Sequence, residues 1–231
     1  MENLGLVVLA VMLMLGFVRC EEHTRFLVDI VEPRGVADVK TTMATVKSIL
    51  DKTEGVEFMF KEVGEPRVLV ILNIAALCDL RPLEEQLFAA NLDITVKSLF
   101  PGEKLAEDLG VNKSLIASAP PPTSLTGDYI YYWDAIFRIE GLNSEEYKEE
   151  IRDNLENSLK YRLDNHQNLM YRVLGQFPIQ MMYFAALKPE DAEMVIWHFN
   201  RRKLIFTAKV SLVQYLDVYL NGCQFQTVNL S

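Results

Sequence analysis

The chain repeats itself once along its length. Val63-Gly64-Glu65-Pro66 through Ala75-Ala76-Leu77 resembles Leu174-Gly175-Gln176-Phe177-Pro178 through Ala185-Ala186-Leu187, with one residue gapped. Thr95-Val96-Lys97-Ser98-Leu99 is echoed by Thr207-Ala208-Lys209-Val210-Ser211-Leu212, and the offset stays at roughly 108 to 113 residues. A unit that recurs at a fixed period is a supersecondary module that cannot bury its apolar face alone.

The order of elements recurs as well. In the first copy, residues 25–31 form an apolar, β-branched run ended by Glu32-Pro33-Arg34-Gly35, which predicts a strand. Val39, Met43, Val46 and Leu50 then share one stripe of a helix, closed by Gly55. Strands over 57–63 and 67–75 flank the turn Gly64-Glu65-Pro66, and a helix from about 80 to 91 follows with Asp79 as N-cap. Residues 94–100 make the last strand. The second copy opens with a strand over 129–139. Asn143 and Glu146 then supply a capping box for a long helix whose buried stripe is Tyr147, Ile151, Leu155, Leu159 and Leu163. Strands over 169–174 and 179–185, a helix opened by Pro189, and a strand over 209–219 complete it.

Each copy therefore reads β-α-β-β-α-β, the ferredoxin-like arrangement of an α+β protein. The expected organisation is two tandem ferredoxin-like units, 21–101 and 128–222, packed sheet to sheet as a pseudo-dimer. A linker carrying Pro120-Pro121-Pro122, with Ser and Thr around it, spans 102–127, and a short tail spans 223–231. This pattern resembles the dimeric α/β-barrel superfamily over about residues 25–220, and Phe26-Leu27-Val28-Asp29-Ile30 resembles the first strand of its muconolactone-isomerase-like members. The resemblance implies the fold, and with it a cleft between sheet and helices where an acid or a histidine often sits. It leaves the activity open, because function belongs to sites and not to folds. Since a fused pair already covers its own sheets, a monomer is expected.

Residues 4–18 carry no charge over fifteen positions, short for a membrane span of roughly 20 residues and suited to a signal-peptide core. Val18 and Cys20 stand at −3 and −1 of a cleavage site after Cys20, so 1–20 is expected to be a signal peptide leaving no stable membrane anchor. A buried N-terminal helix or an uncleaved anchor is the alternative. Secretion would make Asn112 and Asn229, both in Asn-x-Ser sequons, glycan acceptors. It would also let Cys78 and Cys223 form a disulfide if their Cα atoms approach closely enough.

The 231 residues hold 23 basic and 32 acidic side chains, a formal charge of −9, which excludes a nucleic-acid binder. No G-x-S-x-G, H-E-x-x-H, C-x-x-C, P-loop or G-x-G-x-x-G occurs, so no cofactor and no metal are expected. His23 falls at the expected mature N-terminus, and His166 reads as a solvated helix cap. His198 lies between Trp197 and Phe199 as a half-buried helix residue or a catalytic base. Asp29 and Asp134 each interrupt an apolar strand, and such a charge is paired, for example with Arg138, lies at a strand end open to solvent, or serves as a general base or polar anchor in a ligand pocket. Tyr129, Tyr131, Tyr132 and Trp133 line a sheet core, a pocket or a partner surface. Glu145, Glu146, Glu149, Glu150, Asp153 and Glu156 make an acidic helix face, solvated or facing matrix components and weakly held Ca2+. The reading that follows is a secreted, extracellular, non-enzymatic protein of acidic-matrix type. The alternative is a small-molecule enzyme, isomerase-like, or a carrier that uses the cleft with Asp29, Asp134 or His198 as its polar group.

Overall fold

A computed structural model describes residues 24–33, 38–138, 140–193 and 206–222. The first half contains β1 (Thr24–Val31), α1 (Val39–Leu50), β2 (Val56–Glu62), β3 (Arg67–Ile74), a 3-10 turn (Leu77–Leu80), α2 (Arg81–Ala89) and β4 (Asp93–Pro101). Two short helices follow, α3 (Gly102–Asp108) and α4 (Lys113–Ser118). The second half contains β5 (Ile130–Phe137), α5 (Ser144–Leu163), β6 (Gln167–Val173), β7 (Gln180–Ala186), helical residues 189–193, β8 (Phe206–Tyr215) and α6 (Leu216–Asn221).

The expectation of two separate units packed sheet to sheet is overturned. All eight strands are hydrogen-bonded into one closed antiparallel barrel in the order β1-β3-β2-β8-β5-β7-β6-β4. The edge of the first half meets the second at Phe60↔Tyr215, Lys61↔Gln214 and Glu62↔Val213. Its other edge closes at Leu99↔Val173, Phe100↔Arg172 and Pro101↔Tyr171. Closure has a clear physical driver. A face-to-face stack leaves four edge strands with unpaired N–H and C=O groups, whereas a barrel has no edge.

Closure also assigns the two faces of every strand. In β1, Phe26, Val28 and Ile30 point outward and pack with Met43, Val46 and Leu50 of α1, while Leu27 points into the lumen. In β5, Trp133 and Phe137 point outward onto Tyr147, Ile151, Leu155 and Leu159 of α5, while Ile130 and Tyr132 face the lumen. The capping box of α5 forms as the sequence pattern predicts, with Asn143 Oδ1 accepting from the backbone of Glu145 and Glu146, and Glu146 accepting from Asn143 N–H. Leu163, expected in the buried stripe, is exposed at the helix end.

Three local departures matter for the site. The strand expected to run on to 219 stops at Tyr215, and α6 takes its place, burying Leu216 with partly buried Tyr219 and Leu220 at helical spacing against the first-half core. The stretch between the halves holds α3 and α4 and then lays Leu125 into the barrel interior, where Leu125 N–H donates to Tyr215 Oη at 2.7 Å. Gly55 precedes β2 with φ +79 and packs so closely that a Cβ there would collide with the carbonyl oxygen of Asn73. Residues 1–20, His23, His198, Cys223 and Asn229 lie outside the described residues.

Candidate functional site

The middle of the lumen is solid. Phe60 stacks on Phe184 with ring centroids 4.9 Å apart, Tyr132 stacks on Phe184 at 4.8 Å, and Leu27, Leu69, Ile71 and Met182 fill the remainder. Polar chemistry is pushed to the two ends.

At one end, where β1, β2 and β6 begin, a cavity of about 310 Å3 opens. Its walls include Phe58, Leu169, Tyr171, Pro101, Pro121 and Pro122, and its charged groups are Arg25, Glu57 and Glu103. Arg25 donates from Nε and Nη2 to the two oxygens of Glu57 at 2.8 and 2.9 Å, and Asn73 Nδ2 donates to Glu57 at 2.9 Å. This bidentate hydrogen bond holds the Arg25 pKa above its ordinary value against the opposing effect of burial. Behind the wall, Arg162 Nη1 lies 2.5 Å from Glu103 and donates to Ala119 O, while Nε donates to Asn168. Tyr171 is 5% exposed, and its hydroxyl makes no hydrogen bond among the described residues. Burial first, then the charge of Glu57, raises its pKa, so the phenol is an O–H donor at neutral pH.

At the opposite end lies a connected ionic network. Arg67 spans Asp29 with two bonds of 2.7 Å and reaches Glu62 with a third of 2.7 Å. Glu62 also accepts from Lys209 at 2.9 Å and Ser211 at 2.6 Å. Burial alone would push this carboxyl up, but the bonds from Ser211, Lys209 and Arg67 bring it down to about 2. Asp134 accepts from Gln180 and lies 3.9 Å from Lys97. The two strand carboxylates thus face one end of the lumen, each with its own partner. Arg138 is not that partner, since it lies 3.8 Å from Glu140. Neither Asp29 nor Asp134 lines the cavity at the Arg25 end.

The other candidates fall elsewhere. His166 stacks on Tyr161 with ring centroids 3.8 Å apart. Asn112 is exposed and caps α4 through Oδ1, which accepts from Ser114 N at 2.9 Å. The acidic face of α5 is interleaved with cations, Lys148 on Glu145, Arg152 on Glu149 and Lys160 on Glu156. No group of three or more His, Cys, Asp or Glu able to hold a metal ion occurs among the described residues. The sequence reading missed Arg25, Glu57, Glu103, Arg162 and Tyr171. Arg25 and Glu57 carried the same signal as Asp29, a charge in an apolar strand, but Glu103 sat in the supposed linker and Arg162 in a helix end rich in charge.

The chain matches no family model and no curated protein sequence. Solved structures do match. A chlorite dismutase from Candidatus Nitrospira defluvii in complex with imidazole superposes with a TM-score of 0.57 at 13% identity, covering 87% of this chain and 95% of that one. A heme-binding protein from Thermus thermophilus superposes with a TM-score of 0.54 at 13% identity, covering 87% and 96%.

These likenesses, together with the cavity, overturn the expectation of a secreted, glycosylated extracellular-matrix protein held by a disulfide. The architecture is shared with an enzyme and a heme-binding protein, and Cys78 is a free, exposed thiol beside Asp79 instead of half of a Cys78–Cys223 bond. A heme iron would need an axial His, Cys, Met or Tyr facing a porphyrin-sized space. Among the described residues, Met170 and Tyr171 line the Arg25 cavity of about 310 Å3, Met181 is buried with Trp133, Phe137 and Leu155, Cys78 is on the surface, and His166 is stacked on Tyr161. No described histidine or cysteine lines that cavity. At this level of identity the comparisons establish the fold, a closed barrel of the chlorite dismutase-like, ferredoxin-related kind.

Proposed function

We propose that this protein binds a small organic molecule in the cavity at the Arg25 end of the barrel. The observation that carries the reading is that cavity itself, where apolar walls of Phe58, Leu169, Pro121 and Pro122 meet the convergent polar groups of Arg25, Glu57, Glu103 and Tyr171. Its volume of about 310 Å3 stands at the lower end of the range typical of ligand sites, roughly 300–1,000 Å3. The packed lumen supplies a rigid floor. The strap 121–125 supplies a roof, held by Leu125 on Tyr215 and by Thr126 N–H donating to Gln167 at 2.5 Å.

The fold likeness makes heme the ligand to test against this reading. Titration of the full chain with hemin, followed by absorbance, is paired with a screen of small ring compounds followed by NMR. The expected result is chemical-shift change at Phe58, Leu169 and Tyr171 with a small compound, and no stoichiometric heme complex. Tight one-to-one heme binding without shifts at those residues would replace the proposal.

A further inference from the structure

We propose that the polar end of the ligand is an uncharged carbonyl oxygen, received by the Tyr171 hydroxyl and the uncommitted N–H groups of Arg25. This rests on reading the Arg25 cavity as a small-molecule site. The donors left uncommitted there are on Arg25 and Tyr171. Arg25 commits Nε and Nη2 to Glu57, and its Nη1 has no hydrogen bond among the described residues. Tyr171, 5% exposed, has a hydroxyl with no partner among the described residues, and it senses the charges of Glu57, Arg25, Glu103 and Arg162. Both oxygens of Glu57 are already taken by Arg25, one of them also by Asn73, and Glu103 Oε1, without a hydrogen bond among the described residues, faces the charge of Arg162 at 2.5 Å.

Charge balance selects among acceptors. Arg25 and Arg162 already offset Glu57 and Glu103, so the site carries no net charge to hold an ion. A carboxylate head would place a third negative group among them and leave it uncompensated in a half-enclosed space. A pure hydrocarbon would remove water from Tyr171 and leave its O–H without an acceptor. A carbonyl oxygen has two in-plane lone pairs and no charge, which matches two donors lining one cavity. The apolar walls of Phe58, Leu169 and Pro122 then take the body of the molecule. The predicted ligand class is a ring-sized ketone, ester or amide.

Three near-isosteric probes test this on the full chain: acetophenone, ethylbenzene and benzoate, with affinities read from chemical-shift titration at the cavity residues. Acetophenone is expected to bind about tenfold more tightly than ethylbenzene, the worth of one good hydrogen bond, and more tightly than benzoate. Tyr171→Phe, checked for folding by its thermal transition, is expected to reduce that preference to less than about threefold. Equal affinity of the wild-type chain for acetophenone and ethylbenzene, or tightest binding of benzoate, would overturn the carbonyl assignment and leave the cavity reading standing. Failure of all three to shift cavity residues would overturn both. The wild-type ranking decides the matter even if the Tyr171 variant does not fold.

Discussion

Asp29 and Asp134 face the same end of the barrel from the first strands of the two halves, yet only Asp29 is gripped by a guanidinium. Arg67, the first residue of β3, holds Asp29 with two bonds of 2.7 Å. Gln180, the first residue of β7, answers Asp134 with an amide, and Lys97 stays 3.9 Å away.

That difference predicts unequal costs. Asp29→Asn leaves Arg67 partly unpaired and is expected to lose about 2–3 kcal/mol, since removing one partner of a largely buried pair orphans the other charge. Asp134→Asn keeps a hydrogen-bonding group opposite Gln180 and gives up a weak ion pair, and should lose under about 1 kcal/mol. Urea denaturation of the two variants measures both, and equal losses would contradict the assignment.

Glu62 makes the same network sensitive to acid. It is 2% exposed, and its carboxyl is held at about 2 from an ordinary 4.5. A carboxylate depressed in the folded state adds stability that is complete above the unfolded value and is lost as pH falls through the folded one. The shift corresponds to a contribution on the order of 3 kcal/mol, present above pH 4.5 and lost progressively toward pH 2. Glu62→Gln should lower stability at about pH 6 and flatten its decline between about pH 5 and pH 2. Parallel pH profiles for the two proteins would show that the network is not coupled to acid unfolding.

Tyr147 ties α5 to the end of β5 and to the residue just before β7. Its hydroxyl donates to Phe137 O at 3.0 Å and accepts from Ile179 N–H at 3.0 Å, in a buried setting. Tyr147→Phe deprives both backbone groups of a partner and is expected to cost about 2 kcal/mol. Amide hydrogen exchange should show the loss at Ile179 directly, and unchanged protection there would refute the link.

Cys78 is exposed and free in the 3-10 turn. The native protein should therefore react rapidly with a disulfide reagent at this position, and Cys78→Ser should remove one equivalent of that fast reaction. An unchanged stoichiometry would mean that the thiol is already bonded.

Much of the local structure was legible before any tertiary contact was known. The apolar run that forms β1, the capping pair Asn143 and Glu146, and the glycine turns at Gly64 and Gly175, with φ +82 and +74, depend on residues close in sequence. The cavity was not legible, because its groups come from separated segments. Arg25 and Glu57 lie 32 positions apart, and Leu125 reaches Tyr215 across 90.

By itself, the sequence determined the order of the eight strands and of the main helices between them, the glycine turns and the fact that each half needed a cover, but not the short helices α3, α4 and α6. Tertiary structure alone decided how that cover was made. Period-2 alternation says that a strand has two faces but not which becomes a lumen, and it is silent on whether free edges stack or join. Joining β2 to β8 and β4 to β6 satisfied those edges with backbone hydrogen bonds. It turned one face of each sheet into a common interior, drew Asp29 and Asp134 to one end, and left Arg25 and Tyr171 at the mouth of a cavity at the other.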